Sequence, residues 1–355
     1  MQPMAGRDAA THLWQRLGLR IPLIQAPMAG VSTPALAAAV SDAGGLGSIA
    51  VGATDAPGAR AMIAALRAAS GAAFNVNVFV HATPRVDTVR EAAWCAALAP
   101  QFAAFGARPP EELATIYRSF ADDAAMQALL VELAPPMVSF HFGLPAGDVL
   151  AALRGAGCVL AATATNVAEA RAIADAGLDL IIAQGWEAGG HRGMFDPAAP
   201  DARLPTRDLV RAVRRETVLP VVAAGGIMTG QGMRAAIADG AMAAQLGTAF
   251  VACPEGSARP GYRAALLAAR DTVMTSAISG RPARCLANRF TALGNLPPVP
   301  DYPRAYAAGK ALDAAAQAHG EDGFGAQWAG TGVAQARAMP AADLVAQLVR
   351  EMAQA

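Results

Sequence analysis

Lysine is almost missing from this chain: Lys310 is the only one in 355 residues, and it lies late in the sequence. Schiff-base aldolases and pyridoxal-phosphate enzymes need a lysine amine in the site. One lysine so far from the barrel-like repeats argues against both. Cysteine is scarce too. Cys95, Cys158, Cys253 and Cys285 are widely spaced with no C-x-x-C pair. That spacing indicates neither a zinc knuckle nor a redox dithiol, and buried thiols are the plain reading. Charge is sparse, at 16% of residues, and the formal net charge is zero, so no basic face argues for nucleic acid. The N-terminal stretch has no apolar signal-peptide core, and no apolar run is long enough to span a bilayer. A cytoplasmic monomer or homodimer without a membrane or nucleic-acid partner is expected.

What the chain does have is apolar content, at 54%, with abundant alanine and glycine. This suits helices packed tightly on a parallel sheet. Residues 219–250 organise the reading. The run 219–223 is a buried strand, Gly225-Gly226 breaks it, and Thr229 caps a helix over 230–239. Gly240 stops that helix, 241–246 is the next strand, and Gly247-Thr248 opens another helix. Both turns place glycine between a strand end and a helix start, where bare N–H groups and the helix dipole favour an anion. Two such cradles side by side suggest one phosphate between them. A glycine after a strand is otherwise just a turn.

The same alternation runs through the chain. Strands are expected at 21–25, 46–51, 74–79, 137–140, 158–162 and 178–183, before the two already described. Helices follow at 34–42, 56–70, 145–154, 167–176 and 207–215, with Asn166 capping one and Gly177 ending it. Residues 83–133 read as helix throughout, broken at Arg108-Pro109-Pro110, a helical insert capping the site. The tail from residue 258 holds helices near 303–319 and 341–352 and no second core. The pattern is an α/β chain folded as a single (β/α)8 TIM barrel over 1–355. A doubly wound sheet is the alternative, but glycine turns follow nearly every strand rather than one switch point. No G-x-G-x-x-G follows the first strand.

In a barrel, the C-terminal strand ends share one site. They supply Gln25, Met28, Asn77, His141, Thr163, Gln184, Glu187, His191 and the glycines near Gly226 and Gly247. This set is rich in neutral hydrogen-bonders and poor in acids, which disfavours a divalent-metal hydrolase; no metal is expected. It suits a flat polar heterocycle with a phosphate tail, FMN or a sugar phosphate. Asn77 and Gln184 would face ring heteroatoms. His141 is the candidate acid–base group. The bland alternative packs it between Phe140 and Phe142, bonded to backbone. His191, within GGHRG, fixes its loop or leans on phosphate.

In order along the chain stand PLIQAPMAG (22–30), FNVNVF (74–79), VSFHFG (138–143), AQGWEAGGHRG (183–193), VVAAGGI (221–227), QLGTAF (245–250) and SGRPARCLANRF (279–290). Together they resemble the nitronate monooxygenases, bacterial class I. The resemblance implies noncovalent FMN held by Ala26, Pro27, Met28, Asn77, Gln184, Gly189, Gly226, Gln245, Leu246, Gly247 and Thr248. It carries the catalytic histidine onto His141. It implies oxidation of alkyl nitronates by O2 to carbonyl compounds and nitrite. With a neutral nitroalkane His141 would first remove a proton; with a nitronate its protonated form could stabilise the charge. Two departures bear on substrate preference: Thr163-Ala164-Thr165-Asn166 replaces a serine–asparagine pair, and Cys285 stands where a small residue is common. The alternatives are an NAD(P)H-dependent quinone or enoyl reductase, and a non-catalytic phosphate-ligand-binding barrel.

Overall fold

The computed structural model describes residues 2–354, with side chains from residue 9. The strands are β1 (Leu23–Gln25), β2 (Gly47–Ala50), β3 (Phe74–Phe79), β4 (Met137–His141), β5 (Val159–Ala164), β6 (Leu180–Gln184), β7 (Gly190–His191), β8 (Val221–Ala224), β9 (Ala243–Leu246), β10 (Thr272–Thr275) and β11 (Ala283–Leu286). The helices are α1 (Gln2–Arg16), α2 (Pro34–Asp42), α3 (Ala56–Ala69), α4 (Thr88–Ala103), α5 (Ala124–Leu133), α6 (Gly147–Gly155), α7 (Val167–Asp175), α8 (Thr206–Glu216), α9 (Gly230–Ala238), α10 (Pro260–Ala268), α11 (Arg304–Gln317) and α12 (Ala341–Gln354). Eight strands form one parallel sheet in the order β1-β9-β8-β6-β5-β4-β3-β2. A parallel bridge from Ile24 to Leu46 brings β1 back to β2. The expected α/β TIM barrel is the observed one.

Strand period decides what faces the site. In β4, Met137 lies in the cluster that fills the barrel floor, while Val138 and Phe140 pack outward against helices. In β5, Val159 and Ala161 point in; in β6, Leu180 and Ile182 do. Continuing each alternation, the last inward positions are His141, Thr163 and Gln184. Asn77 in β3 and Gln245 in β9 obey the same rule. Apolar residues therefore fill the floor and polar ones reach the mouth. Leu13 of α1, with Leu17 and Leu19 just after it, closes the floor from below.

The expected caps form, Asn166 and Thr229 accepting from the N–H groups of Glu169 and Gly232, and Thr33 likewise accepts from the Leu36 N–H at the start of α2. Each contributes about 1 kcal/mol. Gly177 follows α7 in the left-handed region, at φ +73°.

Three expectations change. Residues 104–119 hold no helix, so the insert is α4, an irregular stretch, a 3-10 turn at Phe120–Asp122, and α5. Pro109 and Pro110 forbid helix there more widely than a single break. Gly247-Thr248 opens only the 3-10 turn Thr248–Phe250, with the next full helix at α10. Finally, the tail does build a core. Trp94, Leu98 and Phe102 of α4 pack with Ile278, Phe290, Leu312 and Phe324. Four of its eleven buried members, Trp94, Leu98, Phe102 and Leu113, come from the insert, which is why the tail alone shows no core.

Candidate active site

A cavity of about 530 Å³ opens over the C-terminal strand ends. Ala26, Pro27, Met28, Asn77, His141, Gln184, Gly189, Gly226, Gln245, Gly247 and Thr248 all line it. Leu246 does not. By strand alternation it points outward, into the apolar cluster with Leu23 and Phe250, and its carbonyl accepts from the Ala26 N–H at 2.8 Å. Gln25 and Glu187 serve structure instead. Gln25 Oε1 accepts from the Ser48 N–H at 2.8 Å. Glu187 Oε2 accepts from the Thr206 N–H and hydroxyl at 2.9 and 2.8 Å.

The loop after β6 is pinned from several sides. β7 pairs with β11, His191 opposite Ala283. Gln184 donates to the His191 carbonyl at 2.9 Å and accepts from the Gly193 N–H at 2.8 Å. Arg192 has a fully buried side chain, donates to the Gly185 carbonyl at 2.9 Å, and pairs with Asp201 at 2.8 Å. A guanidinium with that many acceptors offsets the desolvation that burial imposes. Gln184 is thus already engaged at both ends of its amide. Asn77 donates to the Ser139 carbonyl and hydroxyl at 3.1 and 3.0 Å.

His141 sits between two partners. Nε2 lies 3.2 Å from the His191 carbonyl oxygen and Nδ1 lies 2.9 Å from Thr163 Oγ1. A carbonyl only accepts, so Nε2 carries the hydrogen and Nδ1 accepts from the threonine hydroxyl. Burial, with Arg281 and Arg192 nearby, lowers the His141 pKa to about 4, against the hydrogen bond to the His191 carbonyl, which raises it. The ring is therefore neutral near pH 7, and the protonated form considered for nitronate binding is disfavoured. Its backbone partner and its 4.5 Å contact with the Phe142 ring match the bland reading, yet it also reaches the cavity. His191 is lowered to about 3, by burial first and then by His141 and Arg281. Its Nε2 meets Ser279 Oγ at 2.9 Å, so it fixes the loop.

The phosphate corner departs from the tandem-helix picture. The amino end of α9 is filled by the chain itself: Gly230 N–H donates to Glu351 Oε2 at 2.8 Å. What remains open on the cavity is the Gly225-Gly226 turn and the start of the Thr248–Phe250 turn. Gly226 lies at φ +69°, and a Cβ there would fall 2.9 Å from Glu187 Cβ. Gln245 Oε1 is buried with no hydrogen-bond partner among the described residues. A bare-backbone cradle beside an unpartnered amide oxygen fits a phosphorylated, hydrogen-bonding heterocycle.

Sequence reading missed the opposite wall. Tyr117, Tyr302, Tyr306, Trp328 and Lys310 all line the cavity. Lys310 Nζ donates to Tyr117 Oη at 2.7 Å and lies 5.6 Å from the Tyr306 ring centroid. The lone lysine thus does lie in the site, from α11 rather than a strand. The signal was present: Tyr306, Gly309, Lys310 and Asp313 recur at 3, 4 and 7 residues, one face of a helix.

The family model described as nitronate monooxygenase matches residues 10–351. The chain belongs to the nitronate monooxygenase family. A nitronate monooxygenase of Paraburkholderia phytofirmans is 58% identical over 100% of this chain and 97% of its own. One from Pseudomonas aeruginosa is 51% identical over 95% and 97%. Among solved structures, nitroalkane oxidase from Streptomyces ansochromogenes superposes with a TM-score of 0.89, at 40% identity and 98% coverage of both chains. FabK from Thermotoga maritima gives a TM-score of 0.73, at 28% identity, over 97% and 96%. Among the described residues, no helix is long and apolar enough to cross a membrane.

Proposed function

We propose that this chain is an FMN-dependent nitronate monooxygenase, oxidising alkyl nitronates, and neutral nitroalkanes after deprotonation, with O2 to carbonyl compounds and nitrite. Family membership supports the reaction class. The observation that carries the cofactor is the unpartnered Gln245 Oε1 beside the Gly226 turn. Gly226, Gly247 and Thr248 would hold the phosphate, with Gly189 alongside. Ala26, Pro27, Met28, Asn77, Gln184 and Gln245 would surround the ring. Bound FMN supplies the electron acceptor for the nitronate and the reactivity toward O2.

The chain's own residues do the rest. His141, neutral at working pH, is the base for the α-proton of a nitroalkane. Lys310 places positive charge in the cavity and attracts an anionic nitronate. Tyr117, carried by the insert, and Tyr306 wall the substrate from water. This gives the insert its capping role. The test is direct: purified protein should show a flavin spectrum and consume O2 with a nitronate. Colourless protein that takes up no added FMN overturns the reading. Bleaching by NADH or NADPH under anaerobic conditions would instead favour the reductase alternative.

A further inference from the structure

We propose that Thr163 relays the substrate proton, so that its hydroxyl, and not the imidazole of His141, meets the reacting C–H bond. The inference rests on the nitronate monooxygenase reading and names a further catalytic residue within it. Every polar edge of His141 is already turned to protein. Nε2 faces the His191 carbonyl at 3.2 Å and Nδ1 faces Thr163 Oγ1 at 2.9 Å. Cε1 faces the following loop so closely that a Cβ on Gly193 would lie 2.8 Å from it. The His191 carbonyl is itself held, since Gln184 Nε2 also donates to it at 2.9 Å. A direct role for Nε2 would require its lone pair to point at that carbonyl oxygen, which is repulsive. A direct role for Nδ1 would require the threonine to leave.

Thr163 has the complementary arrangement. It is the last inward residue of β5 and lines the cavity. Its proton is given to Nδ1, so the oxygen lone pairs remain for an incoming donor. Hydroxyl, imidazole and an orienting acceptor behind the imidazole form the constellation that makes a weak oxygen base competent. In the step, the C–H bond next to the nitro group breaks and its proton goes to Thr163 Oγ1. The Oγ1 proton moves to His141 Nδ1. The electron pair stays on the substrate as the nitronate, and His141 becomes imidazolium. The new anion beside it favours that charged form.

Isotope effects on kcat/KM for a nitroalkane test this. A relay moves one non-exchangeable and one exchangeable proton, so deuteration of the substrate carbon and of the solvent should each slow the same step, by about twofold or more. Thr163→Ser should keep both effects. Thr163→Val should lose the solvent effect, and its ratio of nitroalkane to preformed-nitronate turnover should fall at least tenfold below wild type. A substrate effect with no solvent effect in wild type overturns the relay, as does a Thr163→Val ratio equal to wild type. Wild-type protein that oxidises nitronates but no nitroalkane also overturns it and leaves standing the proposed oxidation of nitronates. Failure on nitronates themselves would remove the proposed function instead.

Discussion

The carboxylate of Glu351 accepts a hydrogen bond from the Gly230 N–H at 2.8 Å, so the last helix of the chain plugs the amino end of α9. The same carboxylate meets Arg337 at 2.7 Å and Gln347 at 3.1 Å. Burial pushes its pKa up, but these three partners together bring it below the ordinary value. The helix end most exposed to an anion by its dipole is therefore satisfied internally, and the proposed phosphate contacts fall to the glycine turns.

Replacing Glu351 by Gln should weaken the fold without emptying the cofactor site. The cap and its ion pair contribute about 1–3 kcal/mol together. A thermal melt should drop by several degrees while flavin content stays at the wild-type level. Loss of flavin in a variant that remains folded would place the phosphate at α9 after all.

Gly226→Val should act in the opposite sense. The residue lies at φ +69°, where a branched side chain is strained, and its Cβ would press on Glu187 Cβ at 2.9 Å. Flavin retention after dialysis should fall by at least tenfold, with activity lost in proportion and restored in part by excess FMN. Full retention would dissociate this turn from the cofactor.

Much of this was legible in the sequence, and the limits have physical causes. His141, Asn77 and Gln184 could be read from their places at strand ends, because period 2 and the barrel rule act locally, whereas Gln245 followed only from the resemblance. The same alternation, applied one residue further, shows why Leu246 turns away. The Glu351–Gly230 contact spans 121 residues, and no local pattern encodes it. The core shared by α4 and α11 is hidden for the same reason. Lys310 stands far from the strands in sequence, yet α11 returns it to the cavity. The face formed by Tyr306, Gly309, Lys310 and Asp313 was the better guide.

Acid should destabilise the protein well before its carboxylates are protonated. The ordinary imidazole value is 6.5, while His141 is lowered to about 4 and His191 to about 3. Between those limits the unfolded chain binds protons that the native state refuses. The stabilisation is complete above pH 6.5 and is lost as pH falls toward 4, and further toward 3. The melting temperature should therefore decline steadily across that window, and His191→Asn should flatten part of the slope. A melting temperature constant from pH 6.5 to about 4 would contradict the assignment of both rings as buried and neutral.

Lys310→Met should separate attraction of the substrate from the chemistry. The ammonium lines the cavity beside Tyr117 and Tyr306, and no other lysine exists to replace it. A nitronate carries a full negative charge, so losing one partly desolvated attraction of about 1–1.4 kcal/mol raises KM by about five- to tenfold. Because Nζ also donates to Tyr117, the variant loses one tie between the insert and α11, and a lower melting temperature is expected too. A neutral nitroalkane distinguishes the two effects. If the lysine acts through charge, KM for the nitroalkane should stay within twofold of wild type, and the salt dependence of the nitronate KM should shrink. If the lysine only holds Tyr117 in place, both substrates should suffer alike and the salt dependence should persist. Equal losses would therefore remove Lys310 from substrate recognition and leave it a tie between two segments.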